Sequence, residues 1–274
     1  MSFLSKVTSR FRGKPISLYH FVYGTEPTAF IAYTDCEKSV LFEGIAYNPI
    51  PVDRSQIVAA GNLDKTSLTV SVPKTSRLAE LFRVYPPGQI VRLVIRQGHA
   101  DDSQFKVSWT GRVVQAKRNK STVDVTCEPL TTMLRRVGLR RHYQISCAHV
   151  LYGAECRASQ SVATTSLNTV IVSGSRVTLS PGWNVKPVEK YIGGMISWMT
   201  IYGREYRTIL RVTDQNTLRL SGPLNYLASG GEIRVILGCN HQMPDCLNIH
   251  NNIHNFGGQP FIPLKNPTNT NPFS

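Results

Sequence analysis

The chain is short of acid. It carries 17 aspartate and glutamate residues against 31 lysine and arginine, a balance that suits a polyanionic neighbour such as nucleic acid or a membrane surface. The excess is spread rather than gathered: residues 1–141 hold 21 basic and 11 acidic residues and the remainder 10 and 6, so most of it reads as solvated surface. Long apolar runs are missing too. No stretch approaches the roughly 20 residues of a membrane-spanning helix, and the opening MSFLSKVTSRFRGKP has basic residues without the apolar core of a secretory signal. Both features predict a chain made in a reducing cytoplasm, with no membrane insertion by a single helix. Cysteine is sparse, at six residues, and in such a compartment points to metal ligation or plain burial, not to a disulfide framework. There is no internal repeat, nucleophile elbow or phosphate-cradling loop; GGM at 193–195 reads as a turn before a strand.

What the sequence does contain is β structure. At 274 residues and 41% hydrophobic content it can bury real cores. Up to about residue 128, ISLYHFVYG, TAFIAYT, SLTVSVP, IVRLVIR, KVSWTGRVVQAKR and TVDVTCEPL are rich in β-branched and aromatic residues with frequent alternation. In SLTVSVP, Leu68, Val70 and Val72 fall on one face, as a half-buried strand requires. TSRLAELF at 75–82 predicts a helix capped by Thr75 or Ser76, with Leu78, Leu81 and Phe82 on one side. PLTTMLRRVG predicts a second, carrying Leu130, Met133, Leu134 and Val137 and ending at Gly138. TVIVSG, SRVTLS, GGMISWMTIYG, EYRTILRVTD, NTLRLSGPL and GEIRVILG then read as short strands of a small barrel or sandwich. The fold class is mainly β, in three parts: a β domain over 1–141, a small β module over 142–246, and an irregular tail rich in Asn, Gly and Pro over 247–274.

Four cysteines bracket the module. Cys147 and Cys156 stand at its entrance, Cys239 and Cys246 at its exit. Strands that enter and leave a barrel often end close together, so four thiolates can meet at one point and hold zinc or an iron–sulfur cluster. The gaps of eight and six residues match neither the closely spaced pairs of zinc ribbons nor a ferredoxin run; four cysteines that pack and bind nothing is the plainer alternative. A cross-link here would join residues about 80 to 100 apart, worth roughly 4 to 5 kcal/mol if it restricts the unfolded chain as a disulfide does. Cys127 alternates with Val123 and Val125 and reads as core; Cys36 lies in the turn YTDCEKS.

Several stretches together resemble the tail-tip and baseplate hub proteins of long-tailed bacteriophages and gene transfer agents. They are FIAYTDCEKSVLFEGIAYNPIPVDRSQI, RHYQISCAHVLYGAEC and LGCNHQMPDCLNIHNNIHNFGGQPFIP, the last with an Asn-Phe-Gly-Gly-x-Pro signature at 255–260. The linker before that signature is longer and richer in histidine than the family's usual one. The resemblance implies a tail-tube-like β hub domain and a structural [4Fe-4S] cluster on Cys147, Cys156, Cys239 and Cys246. It also implies a non-enzymatic role in the virion, at the tail tip or baseplate. The implied partners are copies of itself in a ring, commonly a trimer, the distal tail protein, the central fibre or receptor-binding protein and the tape measure protein, with DNA only in passage.

A competing reading is a zinc-dependent nucleic-acid-binding protein or hydrolase. His142, His149, His241, His250 and His254 lie near the cysteine pairs and could complete a mixed Cys/His zinc site. No carboxylate stands in a metallohydrolase motif, since Glu155 and Asp245 merely precede cysteines. Arg135, Arg136, Arg140 and Arg141 could meet phosphates, yet no aromatic residues interleave with them as a stacking platform needs.

Overall fold

Alternation of apolar and polar residues builds most of the molecule as strands. A computed structural model describes residues 7–9, 13–24, 29–57, 67–100, 102–135, 138, 142–168, 170–200, 203–225, 227 and 231–262. It divides into two compact units, Met1–Arg136 with Ile201–Gly203, and Val137–Thr200 with Arg204–Ser274. The described residues that follow Cys246 thus belong to the second unit together with the module.

The first unit is built on a nine-stranded sheet. Its strands are β1 (Pro15–Val22), β2 (Phe30–Thr34), β3 (Val40–Phe42), β4 (Ile45–Pro49), β5 (Asp53–Arg54), β6 (Leu68–Pro73), β7 (Arg92–His99), β8 (Lys106–Arg118) and β9 (Thr122–Pro129), in the order β3-β4-β2-β1-β7-β8-β9-β6-β5. β4 and β5 lie towards opposite edges but are joined by three residues, a reach of about 14 Å. The sheet must therefore curl until its edges approach. Irregularities in register between Ile95 and Arg96 on β7, and between Val113 and Gln115 on β8, supply bends of the kind such curling needs.

The expected faces are present. Leu68, Val70 and Val72 are buried, and Leu68 pairs with Cys127 on β9. Burial pushes the Cys127 thiol up to about 12, so it packs as a small hydrophobe. The helix α1 spans Arg77–Leu81, and the Ser76 side chain caps it by accepting the Ala79 N–H.

Two expectations change. The segment from Leu130 to Arg135 is a 3-10 helix, not an α-helix, and Val137 and the Met133 and Leu134 side chains lie outside the described residues. The stretch around VLFEGIAYN forms an unforeseen hairpin of β3 and β4. Its turn has positive φ at both Glu43 and Gly44, the conformation of a tight type I′ connection; glutamate in place of the usual Asn or Asp hides that signal.

The second unit carries seven strands: β10 (Thr164–Leu167), β11 (Val170–Ser173), β12 (Arg176–Leu179), β13 (Met195–Thr200), β14 (Gly203–Asp214), β15 (Thr217–Leu220) and β16 (Ile233–Ile236). Their order is β10-β16-β13-β14-β15-β12-β11. β10 and β11 occupy opposite edges yet are only two residues apart in the chain, a span of about 11 Å. That connection forces a barrel-like closure. Val177, Ile196, Trp198, Ile209, Leu218, Ile233 and Val235, drawn from β12 to β16, are fully buried and form one core. The Trp198 indole N–H is satisfied by the Asn225 carbonyl, as a buried Trp requires.

Where β16 leaves this sheet, two glycine backbones touch. A Cβ on Gly238 would sit 2.1 Å from the Ile192 carbonyl oxygen, and one on Gly194 would sit 2.2 Å from that of Ile236. The Gly238 N–H donates to the Lys190 carbonyl, which fixes the chain one residue before Cys239. Gly238→Ala therefore destabilises the fold by about 1–3 kcal/mol through overpacking against backbone. Gly138→Ala, with no described residue's atom within 4 Å of the new methyl, stays within about 0.5 kcal/mol. Urea unfolding of the two variants checks the contrast.

Candidate cysteine-lined site

The ends of the second sheet deliver the two cysteine pairs to one place. Cys147 and Cys156 lie in loops ahead of β10; Cys239 follows β16, and Cys246 sits in the short helix α2 (Met243–Asn248). All four line a single small cavity, together with His149, His241, His250, Asn252, Asn255 and Phe256. Cys156 and Cys246 are buried, and Cys147 and Cys239 half-buried. The entrance and the exit of the module thus both open onto this cavity.

Backbone bonds stitch the loops around the cavity. The Cys147 N–H donates to the His241 carbonyl at 2.7 Å, and the His241 ring returns Nδ1–H to the Cys147 carbonyl at 3.1 Å. The strap after α2 closes the other side. The Asn255 carbonyl accepts from His149 Nδ1 at 3.0 Å, and the Gln259 N–H donates to the Gln144 carbonyl. The paired glycines of the Asn-Phe-Gly-Gly segment allow this approach: a Cβ on Gly257 would meet the His149 ring at 2.4 Å, and one on Gly258 the Ile145 carbonyl at 2.4 Å. Among the described residues five non-glycine residues have positive φ, and four of them, Tyr152, Arg157, His241 and Asn251, lie in these loops. Strained backbone is concentrated where the site is built.

The sulfurs sit among donors. The His241 N–H points at Cys239 Sγ and the Gly257 N–H at Cys147 Sγ, both at 3.3 Å, while Asn252 Nδ2 lies 3.7 Å from Cys156 Sγ. Donors aimed at sulfur favour thiolate and metal-bound thiolate. Burial works the other way on the free thiols. Desolvation, followed by the neighbouring Cys239, Cys147 and Cys156, pushes Cys246 up to about 11, and desolvation likewise raises Cys239. Metal-free, burial thus favours the neutral thiol at Cys239 and Cys246; a cation would reverse that preference. Among the described residues, no three His, Cys, Asp or Glu side chains already form a set that could hold a metal ion.

The histidines divide. His149, His241 and His250 line the cavity, but one nitrogen of each donates to a carbonyl, that of Asn255, Cys147 and Gly238 respectively. His142 and His254 are exposed and do not line it. Asp245 does more than precede a cysteine: its buried carboxylate accepts from Lys190 Nζ at 2.6 Å and from the Asn240 N–H, tying the second loop to the 3-10 helix Val188–Tyr191 ahead of β13. Sequence reasoning missed Asn252, Asn255 and Gly257 as parts of the site. The adjacency of NFGG to a cysteine pair was their only signal. The arginine cluster at 135–141 lies outside the side chains described.

The fold and the site together define a mainly β protein in which two distant cysteine pairs wall one cavity. Residues 189–266, which include Cys239, Cys246 and the NFGG segment, match a family described as phage conserved hypothetical protein BR0599. An uncharacterized protein of Xylella fastidiosa (strain 9a5c) is 25% identical over 169 residues, 57% of this chain and 35% of that relative; the match thus spans about a third of the curated relative's length. Among solved structures, a chain of the virion of native gene transfer agent (GTA) particle is similar, with a TM-score of 0.80 and 16% identity, over 99% of this chain and 95% of that one. At that identity the likeness is one of fold. No helix among the described residues is long and apolar enough to cross a membrane.

The raised Cys246 thiol has a pH signature. Its folded value lies above its ordinary 9.0, so the stability it contributes is fully present below pH 9.0 and is lost as pH rises towards about 11. Urea midpoints of the metal-free protein should fall over that interval, and Cys246→Ser should remove this part of the fall.

Proposed function

We propose that the chain is a structural, non-enzymatic component of a phage-type virion, the hub at the tail tip or baseplate, in which a [4Fe-4S] cluster cross-links the second unit. The observation that carries the reading is the fold likeness to a gene transfer agent virion chain over nearly the whole of both chains. The match of residues 189–266 to a phage family supports it. In this reading the hub closes the distal end of the tail tube as a ring, commonly a trimer. It meets the distal tail protein, the central fibre or receptor-binding protein and the tape measure protein, with DNA only in passage.

The residue types suit such a cluster in kind. Cys147, Cys156, Cys239 and Cys246 line one small cavity, and N–H groups are aimed at three of the four sulfurs. A bound cluster would supply iron–thiolate bonds from Cys147, Cys156, Cys239 and Cys246, joining loops that hydrogen bonds and the Lys190–Asp245 ion pair already hold. Around it the chain's residues do the ordering: His241 and Gly257 hold their sulfurs, His149 and His250 hold the surrounding carbonyls, and Phe256 lines the cavity wall. No residue is required to transfer a proton or attack a substrate.

Cys147→Ser and Cys239→Ser, introduced into the virus that encodes the chain, should each lower the yield of assembled tails several-fold through misfolding. Particle counts by electron microscopy measure this, and a gold-labelled antibody should mark the tail tip. Normal yields in both variants, or label elsewhere on the particle, would contradict the reading.

A further inference from the structure

Cys147 and Cys239 each receive a backbone N–H from a loop residue. The two buried cysteines, Cys156 and Cys246, belong to different pairs and share one neighbour, Asn252. That residue is itself buried. Its Nδ2 donates to the Cys156 carbonyl and lies 3.7 Å from the Cys156 sulfur, across 96 residues of sequence. Its backbone N–H donates to the Cys246 carbonyl at 2.9 Å, and its own carbonyl faces Cys246 Sγ at 3.1 Å. Asn252 therefore touches both pairs at once, through side chain on one side and main chain on the other.

The orientation of its carboxamide is determined by its partners. Oδ1 accepts from Asn255 Nδ2 at 2.7 Å while Nδ2 faces a carbonyl. A flipped amide would set acceptor against acceptor and donor against donor. The preceding residue, Asn251, has φ of 47°, so the backbone is turned to present this side chain inward. An asparagine that merely capped its own turn would have no need of a partner on the far loop.

We infer that Asn252 is a positioning residue that clamps Cys156 to Cys246 and so assembles the thiol set before any metal arrives. The inference rests on the four-cysteine reading above but concerns the metal-free chain. Asn252→Leu keeps the number and branching of the side-chain heavy atoms while leaving the Cys156 carbonyl and sulfur without their donor. A buried group stripped of its partner costs enough to open the loop locally.

The test is the rate at which an aromatic disulfide reagent modifies each cysteine of the metal-free full-length protein, read by mass spectrometry. Fluorescence of the buried Trp183 and Trp198 reports whether the second unit stays folded. With Asn252→Leu, Cys156 and Cys246 should both react about tenfold faster or more than in the wild type, with unchanged fluorescence. Unchanged rates at Cys156 would overturn the clamp, as would faster reaction of Cys246 alone. Should the leucine variant unfold, Asn255→Ala decides, because it frees the carboxamide without removing it: faster Cys156 modification supports the clamp and none overturns it. Iron content of the wild-type protein separates the two ideas. No iron with the reactivity pattern intact removes the cluster and keeps the clamp; full iron with unaltered reactivity in the variants does the opposite.

Discussion

Everything at the site depends on one constraint: the chain must return, after 82 residues, to the place where it left. The second sheet enforces this by its own connectivity. β10 and β11 are separated by two residues but stand at opposite edges, so the sheet cannot lie open. Its closure brings the loop before β10 and the segment after β16 together, and β10 pairs with β16 directly. The cysteines sit just outside that closure. Their meeting is a consequence of strand order, supported by the contact of Gly194 with Gly238 that aims the chain at Cys239.

Gathering four thiols carries an opposing cost. Burial raises Cys246 and Cys239 and keeps the thiol form neutral, whereas ligation needs the thiolate. The N–H groups of His241, Gly257 and Asn252 lean the other way. Thiolates formed on metal binding thus meet donors already in position, while without a metal burial holds Cys239 and Cys246 as thiols. Left-handed backbone at Tyr152, Arg157, His241 and Asn251 indicates how much local strain the surrounding hydrogen bonds hold in place.

Much of this could be read from residue order. Alternation exposed Leu68, Val70 and Val72 as an inward face because a pleated strand repeats every two residues, and the same period assigned Cys127 to the core. A cap at Thr75 or Ser76 was legible because a hydroxyl has a specific task at a helix start; the fold selects Ser76. Other features depend on contacts that no local pattern encodes. The β3–β4 hairpin turns on glutamate at positive φ, an uncommon choice. The histidines could be weighed as alternative ligands because their nearness to the cysteines in sequence is visible, while the carbonyls that three of them bind are supplied from elsewhere in the fold. Asn252 was hidden for the same reason: composition places it in an asparagine-rich tail, and only the fold sets it between Cys156 and Cys246.

Four cysteines that share one cofactor leave a chemical signature. The chain should be purified without oxygen, its absorbance recorded, and its iron, sulfide and zinc measured. A broad shoulder at about 400 nm with about four irons per chain is the expected result for a thiolate-held cube. Colourless protein containing stoichiometric zinc, or no metal at all, would contradict it.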